Sequence, residues 1–468
     1  MQKVFADDLR KVLDQAKGAS YAEIRYHSRL LNEIRISNGE LERIRSVVND
    51  GTGIRVLVDG CWGFSSTSET SNESLLDTMH AALSSASLLS KGKQRKVSKL
   101  ADANLAVGTF RPAINGKLED YSIEDKVKLV KDSEAYARRY SNKIKSSSCI
   151  YRETIDHKII VNTDGASAEL FDSKPEFSLT AVASESGSSV TASEGIGITG
   201  GWKDLFSRKS AKDITKEAVQ KAVKLLKAKR PKGERTSVIL DPGMVGLISH
   251  EAIGHTVEAD FVLSGSIVKD KIGQKVASHL ITLVDSGPSQ IQSCAAGTIF
   301  VDDEGVVARR TAIIDNGILS SFLHNRETAS ILDAEPTGNA RAFEYDNEPL
   351  IRMRNTYIEP RDYTLDEIIK ETKHGYLIKG ARNGQADANG EFMFGSQEAY
   401  LIEKGEIRQL CRGASISGQA FDVLMSVDAV GKDFKYDIGT GYCGKYQPMK
   451  VDGGGPHIRC TAIVGGLQ

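Results

Sequence analysis

The chain has 468 residues, of which 40% are hydrophobic and 26% charged, and its formal net charge is −1. That leaves room for two or three domains with proper cores, in the balance expected of a soluble globular protein. It gives no bulk charge for nucleic acid or an anionic membrane surface, and no apolar run long enough to span a bilayer.

Val4, Phe5, Leu9, Val12 and Leu13 fall at helical spacing among charged residues. They predict a helix over about residues 3–17 rather than an export signal. The six cysteines, Cys61, Cys149, Cys294, Cys411, Cys443 and Cys460, are sparse and scattered. Without an export signal they read as reduced thiols of a cytoplasmic protein, or as metal ligands.

Short strands follow the first helix, punctuated by Asn38-Gly39, Asp50-Gly51 and Asp59-Gly60. Such dipeptides supply the positive φ angles of tight hairpins. A helix comes next, with Leu75, Leu76, Met79 and Leu83 on one face. The order then recurs. Ser122 to Tyr140 is helical, with Ser122 and Asp125 as a capping box and Ile123, Val127 and Val130 as its stripe. Strands turn at Asp164-Gly165 and Ser186-Gly187, and a helix over about 210–228 closes the unit. Helix, strand meander, helix, twice over, predicts an internal pseudo-repeat in one N-terminal α/β domain, residues 1–230.

Lys229-Arg230-Pro231-Lys232-Gly233 is polar and breaks the helix, so a domain boundary is placed there. Residues 231–468 are dominated by strand and turn signals, with hairpins expected at Asn316-Gly317 and Lys404-Gly405. The predicted fold class is α+β. A β-rich C-terminal domain, a curved antiparallel sheet or barrel with a few helices, follows the α/β domain.

The most chemically loaded segment is His250-Glu251-Ala252-Ile253-Gly254-His255. It follows a β-compatible run, Ser237 to Leu240, with Asp241 placed to cap a helix and Pro242 suited to its first turn. The spacing is HExxxH, one residue longer than the zinc-protease HExxH. On a regular helix, residues five apart lie about 140° apart around the axis. Both rings therefore reach one ion only if the helix widens into a π-turn, tightens, or ends between them. Gly254 tolerates such a distortion. Two neutral imidazoles suit Zn²⁺, and Glu251 is placed to take a proton from a water whose pKa the metal lowers towards roughly 7. Spacing leaves the third ligand open between Glu258, Asp260 and a cysteine. The bland alternative is one core histidine and one solvated one at a helix end.

Arg341, Arg352 and Arg354 lie among aromatic residues and are candidates to stabilise an oxyanion or hold a peptide terminus. His324 and His457 are candidate proton donors. Gly453-Gly454-Gly455 lacks the lysine and helix of a phosphate loop, so nucleotide binding is rejected.

Four pieces in order carry a resemblance that spans essentially the whole chain. They are HEAIGH; Ile351-Arg352-Met353-Arg354-Asn355-Thr356-Tyr357; the segment Phe392 to Glu403; and Gly441-Tyr442-Cys443-Gly444-Lys445, ending near Gly465-Gly466. In these the sequence resembles the TldD branch of the TldD/PmbA family of metalloproteases. The resemblance implies that His250, His255 and Cys443 hold Zn²⁺ and that Glu251 is the catalytic glutamate, with Cys460 left structural. It implies a peptide substrate bound through its backbone as an added strand. It also implies a heterodimer with a TldE (PmbA)-like paralogue that lacks the metal motif, a homodimer being the alternative. The tail after Lys445 reads Tyr446-Gln447-Pro448, shorter and less glycine-rich than expected of the bacterial form. A non-catalytic peptide-binding subunit with a four-coordinate structural metal is the competing function. An amidase acting on a non-peptide amide is a third.

Overall fold

A computed structural model describes residues 6–92, 96–387 and 389–466. Val4 and Phe5, the start of the N-terminal stripe, lie outside the described residues. The rest of that stripe forms a short helix, α1 (Ala6–Leu13), which buries Leu9, Val12 and Leu13.

The N-terminal half is one large sheet. Strands β1 (Tyr21–Ser37), β2 (Glu40–Val58) and β3 (Cys61–Thr67) form one antiparallel meander. After helix α2 (Asn72–Ser90) and the short β4 (Val107–Phe110) comes helix α3 (Ile123–Arg139), capped by Ser122 and Asp125 as their spacing predicts. A second meander follows: β5 (Ile144–Asn162), β6 (Ser167–Glu185) and β7 (Ser188–Gly197), closed by helix α4 (Ala211–Leu225). The meanders join where β1 pairs with β5, giving the order β3-β2-β1-β5-β6-β7, with β4 parallel to the start of β6.

The turns at Asn38-Gly39 and Ser186-Gly187 have the positive φ angles their sequences suggest. Asp50-Gly51 does not turn. It lies inside β2, a single strand of 19 residues, so the expectation of short strands is corrected here. Glycine is needed at 51 for space: a Cβ there would stand 2.6 Å from the Tyr345 ring, which arrives from the C-terminal half.

Along β1 the even positions Ala22, Ile24, Ile34 and Ile36 are buried beneath the helices. The odd positions Glu23, Arg25 and His27 are charged or polar, and they are buried too. They face the C-terminal half, where Arg25 donates to the Asn347 carbonyl at 2.6 Å and Arg55 bridges Glu23 and Glu304 at 2.9 and 2.8 Å. The sheet is thus covered on both faces, by helices on one and by a polar interface on the other.

The C-terminal half is built round a closed barrel. Strand β8 (Glu234–Leu240) pairs in parallel with β9 (His374–Ala386) and antiparallel with β12 (Ile458–Gly466). Strands β10 (Glu391–Glu403) and β11 (Ala414–Gln419) complete the ring, β9 to β10 to β11 to β12. Hairpins form at Asn316-Gly317 and Lys404-Gly405, as their sequences predict. A second, mixed sheet beside the barrel includes Asn355–Ile358 paired in parallel with Asp452–Gly455. Gly453 to Gly455 therefore serve packing.

Candidate metal centre

Strand β8 leads straight into the helix that carries the motif. Asp241 caps it, accepting from the Met244 N–H at 2.9 Å, and its second oxygen accepts from the Gly380 N–H of β9 at 2.9 Å. One carboxylate thus fixes the helix start to the barrel. The first turns, α5 (Pro242–Leu247), bury Met244 and Val245. Gly246 lies against the glycine strand, where a Cβ would stand 2.6 Å from the Gly453 carbonyl carbon.

From Ile248 to Gly254 the helix is π-helical, and it tightens into a 3₁₀ turn at His255–Val257. In a π-helix the residue five ahead lies one turn on, so His250 and His255 fall on one side. This is the widening that the spacing demands. Gly254 plays a different part from the one expected. Its φ and ψ, −56° and −45°, are ordinary helical values. A Cβ there would lie 1.9 Å from the Met353 Sδ, so glycine is required for a close approach.

The two histidines meet Cys443, from the short strand Tyr442–Cys443, 188 positions beyond His255. One donor atom from each residue lies within 4.8 Å of the others. Cys443 Sγ is 3.3 Å from His255 Nε2. Sulfur and nitrogen donors on one tetrahedral zinc stand about 3.5 Å apart. His250 is 1% exposed, and neither of its ring nitrogens has a hydrogen-bond partner among the described residues. An imidazole buried without partners is costly, and a metal ion supplies the missing partner. The donors present therefore fit a thiophilic divalent ion such as zinc.

The electrostatics agree. Burial alone would push the Cys443 thiol up, but His250 and His255 outweigh it and bring it down to about 3. Burial would lower His255, but Glu258 first and Cys443 after it hold it up at about 10. Both shifts favour the thiolate of Cys443, the form that binds metal.

Glu258, a candidate third ligand, stands behind the donor set. Its Oε2 is 2.9 Å from His255 Nδ1, on the far side of the ring from Cys443. That contact fixes which nitrogen faces the metal position. Asp260, the other candidate, bonds Lys445 Nζ at 2.6 Å, and Lys445 also reaches Glu258 at 3.1 Å. Lys445 thereby ties the cysteine loop back to the helix. Glu251 is one-third exposed, its Oε2 3.8 Å from His255 Nε2, and it lines a cleft that opens on the site.

The three arginines do not face a substrate, which corrects their candidacy for oxyanion or terminus binding. All are buried and donate to carbonyls. Arg352 holds the cysteine loop, donating to the carbonyls of Cys443 at 2.6 Å, Lys445 at 3.2 Å and Gln447 at 2.6 Å. Arg341 reaches Met353 and Lys450, and Arg354 pairs with Asp285 at 2.8 Å. His324 is buried against Thr328, and His457 pairs with Asp433. Burial pushes the Cys460 thiol up to about 12, in keeping with a packing role. Sequence reasoning missed Arg352 as the anchor of this loop. The only signal was its place in the segment of resemblance.

Comparison with known proteins gives the family of the chain. The PmbA/TldA metallopeptidase C-terminal domain matches residues 233–465, the central domain 116–226 and domain 1 residues 22–86. A metalloprotease of Methanocaldococcus jannaschii is 37% identical over 98% of this chain and 99% of its own. This chain belongs to the PmbA/TldD metallopeptidase family. A zinc metalloprotease TldD homolog of Saccharolobus solfataricus is 31% identical over 96% of this chain and 97% of its own. The crystal structure of TldE from Thermococcus kodakarensis shares the fold, with a TM-score of 0.78 at 19% identity, covering 98% of this chain and all of that one.

Proposed function

We propose that this member of the PmbA/TldD family is a zinc-dependent peptidase of the cytoplasm that cleaves small or unfolded peptides. In this reading His250, His255 and Cys443 hold the metal and Glu251 is the general base. The observation that carries it is the buried His250 imidazole, without a hydrogen-bond partner among the described residues, grouped with His255 and the Cys443 sulfur. Bound there, zinc supplies Lewis acidity and lowers the pKa of a water. Glu251 accepts the proton of the attacking water at a carboxylate oxygen and returns it to the leaving amine nitrogen. Glu258 holds His255 in the required tautomer, and Lys445 balances the charge on Glu258.

The competing reading, a structural metal in a non-catalytic subunit, needs a fourth protein ligand. Glu258 occupies the wrong side of His255 for that, which favours an open position. Two measurements decide: zinc content, and peptide cleavage by Glu251→Ala against the parent. Equal zinc with a loss of cleavage of about a hundredfold or more is expected. Equal zinc with unchanged cleavage removes Glu251 as the base. Profiling with non-peptide amides separates the amidase alternative.

A paralogue of the TldE kind is the proposed partner, with a second copy of this chain as the alternative. Leu41, Ile44 and Val48 are exposed on the arm of β2, whose outer edge over residues 40–48 pairs with no strand among the described residues. Such an edge is a ready site for association. Co-purification from the native host is the test, and a fully active monomer would contradict it.

A further inference from the structure

Glu251 stands between two very different cavities. On one side is a space of about 1260 Å³ between the N-terminal sheet and the barrel. Its walls carry charged groups of both signs, among them Lys221, Lys379, Glu194 and Asp437. On the other side is a cleft of about 550 Å³, shared by Glu251 and His255 with Phe261, Gly265, Ala386 and Tyr446. Of the residues described as lining them, Glu251 alone belongs to both.

The cleft has charged neighbours, but they are already engaged. Lys445 Nζ is held by Glu258 and Asp260 and lies 4.2 Å over the Phe261 ring. Asp387 accepts from the N–H groups of Asn389 and Glu391, each at 2.9 Å. The lining hydroxyls of Thr256, Ser264 and Ser266 each donate to a backbone carbonyl, so beside Glu251 and His255 the cleft chiefly offers a ligand two aromatic rings, the Ala386 methyl group and backbone. Tyr446 is the most exposed large apolar side chain described, at 87%, and its φ is +55°. An aromatic residue in that conformation is strained. Its ring stands three residues beyond Cys443, the last of the three donors.

We propose, resting on the peptidase reading, that this cleft is a pocket for one large apolar or aromatic side chain beside the scissile bond. Phe261 forms its floor and Tyr446 its wall. The peptide crosses Glu251, with its polar remainder in the charged cavity. Selectivity on this side of the bond then comes from burial of that side chain, an advantage of about tenfold to a hundredfold for phenylalanine over glycine.

The test separates binding from chemistry by using the full zinc-loaded chain with Glu251→Gln. Fluorescently labelled glycine-rich peptides, identical except for one phenylalanine moved along the chain, are titrated in. At one position phenylalanine should tighten binding about tenfold or more over glycine. Adding Tyr446→Gly, which removes the ring yet suits the positive φ, should cut that advantage to under about threefold, while Tyr446→Phe keeps it. Equal binding of all the peptides overturns the proposal, as does an advantage that survives both Tyr446→Gly and Phe261→Leu. If the parent enzyme cleaves none of these peptides while the preference holds, the peptidase reading fails and the pocket stands.

Discussion

The two halves of this molecule are held together in different ways. In the N-terminal half, order comes from long strands in register, joined by tight turns that fix each strand to its neighbour. In the C-terminal half, many strands are only two to five residues long, and the loops between them are moored by buried guanidinium groups bonded to carbonyl oxygens. Ladder bonds are many and individually replaceable. A guanidinium that satisfies three carbonyls is one group on which a whole loop depends. The candidate metal centre takes all its donors from the second kind of structure.

The sharpest way to break this contrast is Arg352→Met. It leaves the carbonyls of Cys443, Lys445 and Gln447 without their donor, at a cost of about 3–5 kcal/mol, and frees the cysteine loop. Zinc content should collapse with stability, both read on the purified protein. Arg43→Ala, which removes an exposed partner of Glu33 in the N-terminal sheet, should move stability by no more than about 0.5 kcal/mol.

A smaller effect concerns Asp452, whose two oxygens accept from the N–H groups of Ala296 and Gly453. Burial pushes its carboxyl up to about 7. Between about pH 4 and 7 the folded state keeps a proton that the unfolded chain releases, so this group's contribution to stability falls as pH rises through that window. Asp452→Asn should remove a loss on the order of a few kcal/mol, measured as the difference between urea denaturation at the two ends of the window.

Gly254→Ala should cost about 1–3 kcal/mol through its clash with Met353, and Met353→Ala in the same chain should recover part of it. If Gly254 served conformational freedom instead, Met353→Ala would recover nothing. A small effect, on the order of 1 kcal/mol by denaturant midpoint, is expected for Asn38→Ala in the first hairpin, which loses a side chain suited to its positive φ and the bond its Oδ1 accepts from the Ser147 N–H at 3.1 Å.

Local chemistry was legible in the sequence. The turn dipeptides, the capping box at Ser122 and the Asp241-Pro242 helix start each depend on residues a few positions apart. The α+β class and the curved, barrel-like C-terminal half followed from them and from the order of elements. The six-residue motif even announced its own irregular helix, because five-residue spacing and a shared ion are incompatible with 3.6 residues per turn. What stayed hidden was long-range approach. Gly51 reads as a turn until Tyr345 is seen beside it, and Gly254 reads as a hinge until Met353 is. Glu23, Arg25 and His27 alternate with apolar residues in the pattern of a wetted sheet face, yet they are buried, and Arg25 meets Asp303 from a layer 278 residues further along the chain (303 − 25). Arg352 resembles many surface arginines until the three carbonyls it serves come together.

Strand β12 closes the barrel against β8, the strand that launches the motif helix, and Cys443 lies fifteen residues before β12 begins (458 − 443). During synthesis, then, the histidine pair emerges long before either its third donor or the wall behind it. A nascent chain that stops short of residue 443 carries two imidazoles and a glutamate but no assembled centre. The candidate centre can therefore assemble only after residues 443–466 have been made and docked.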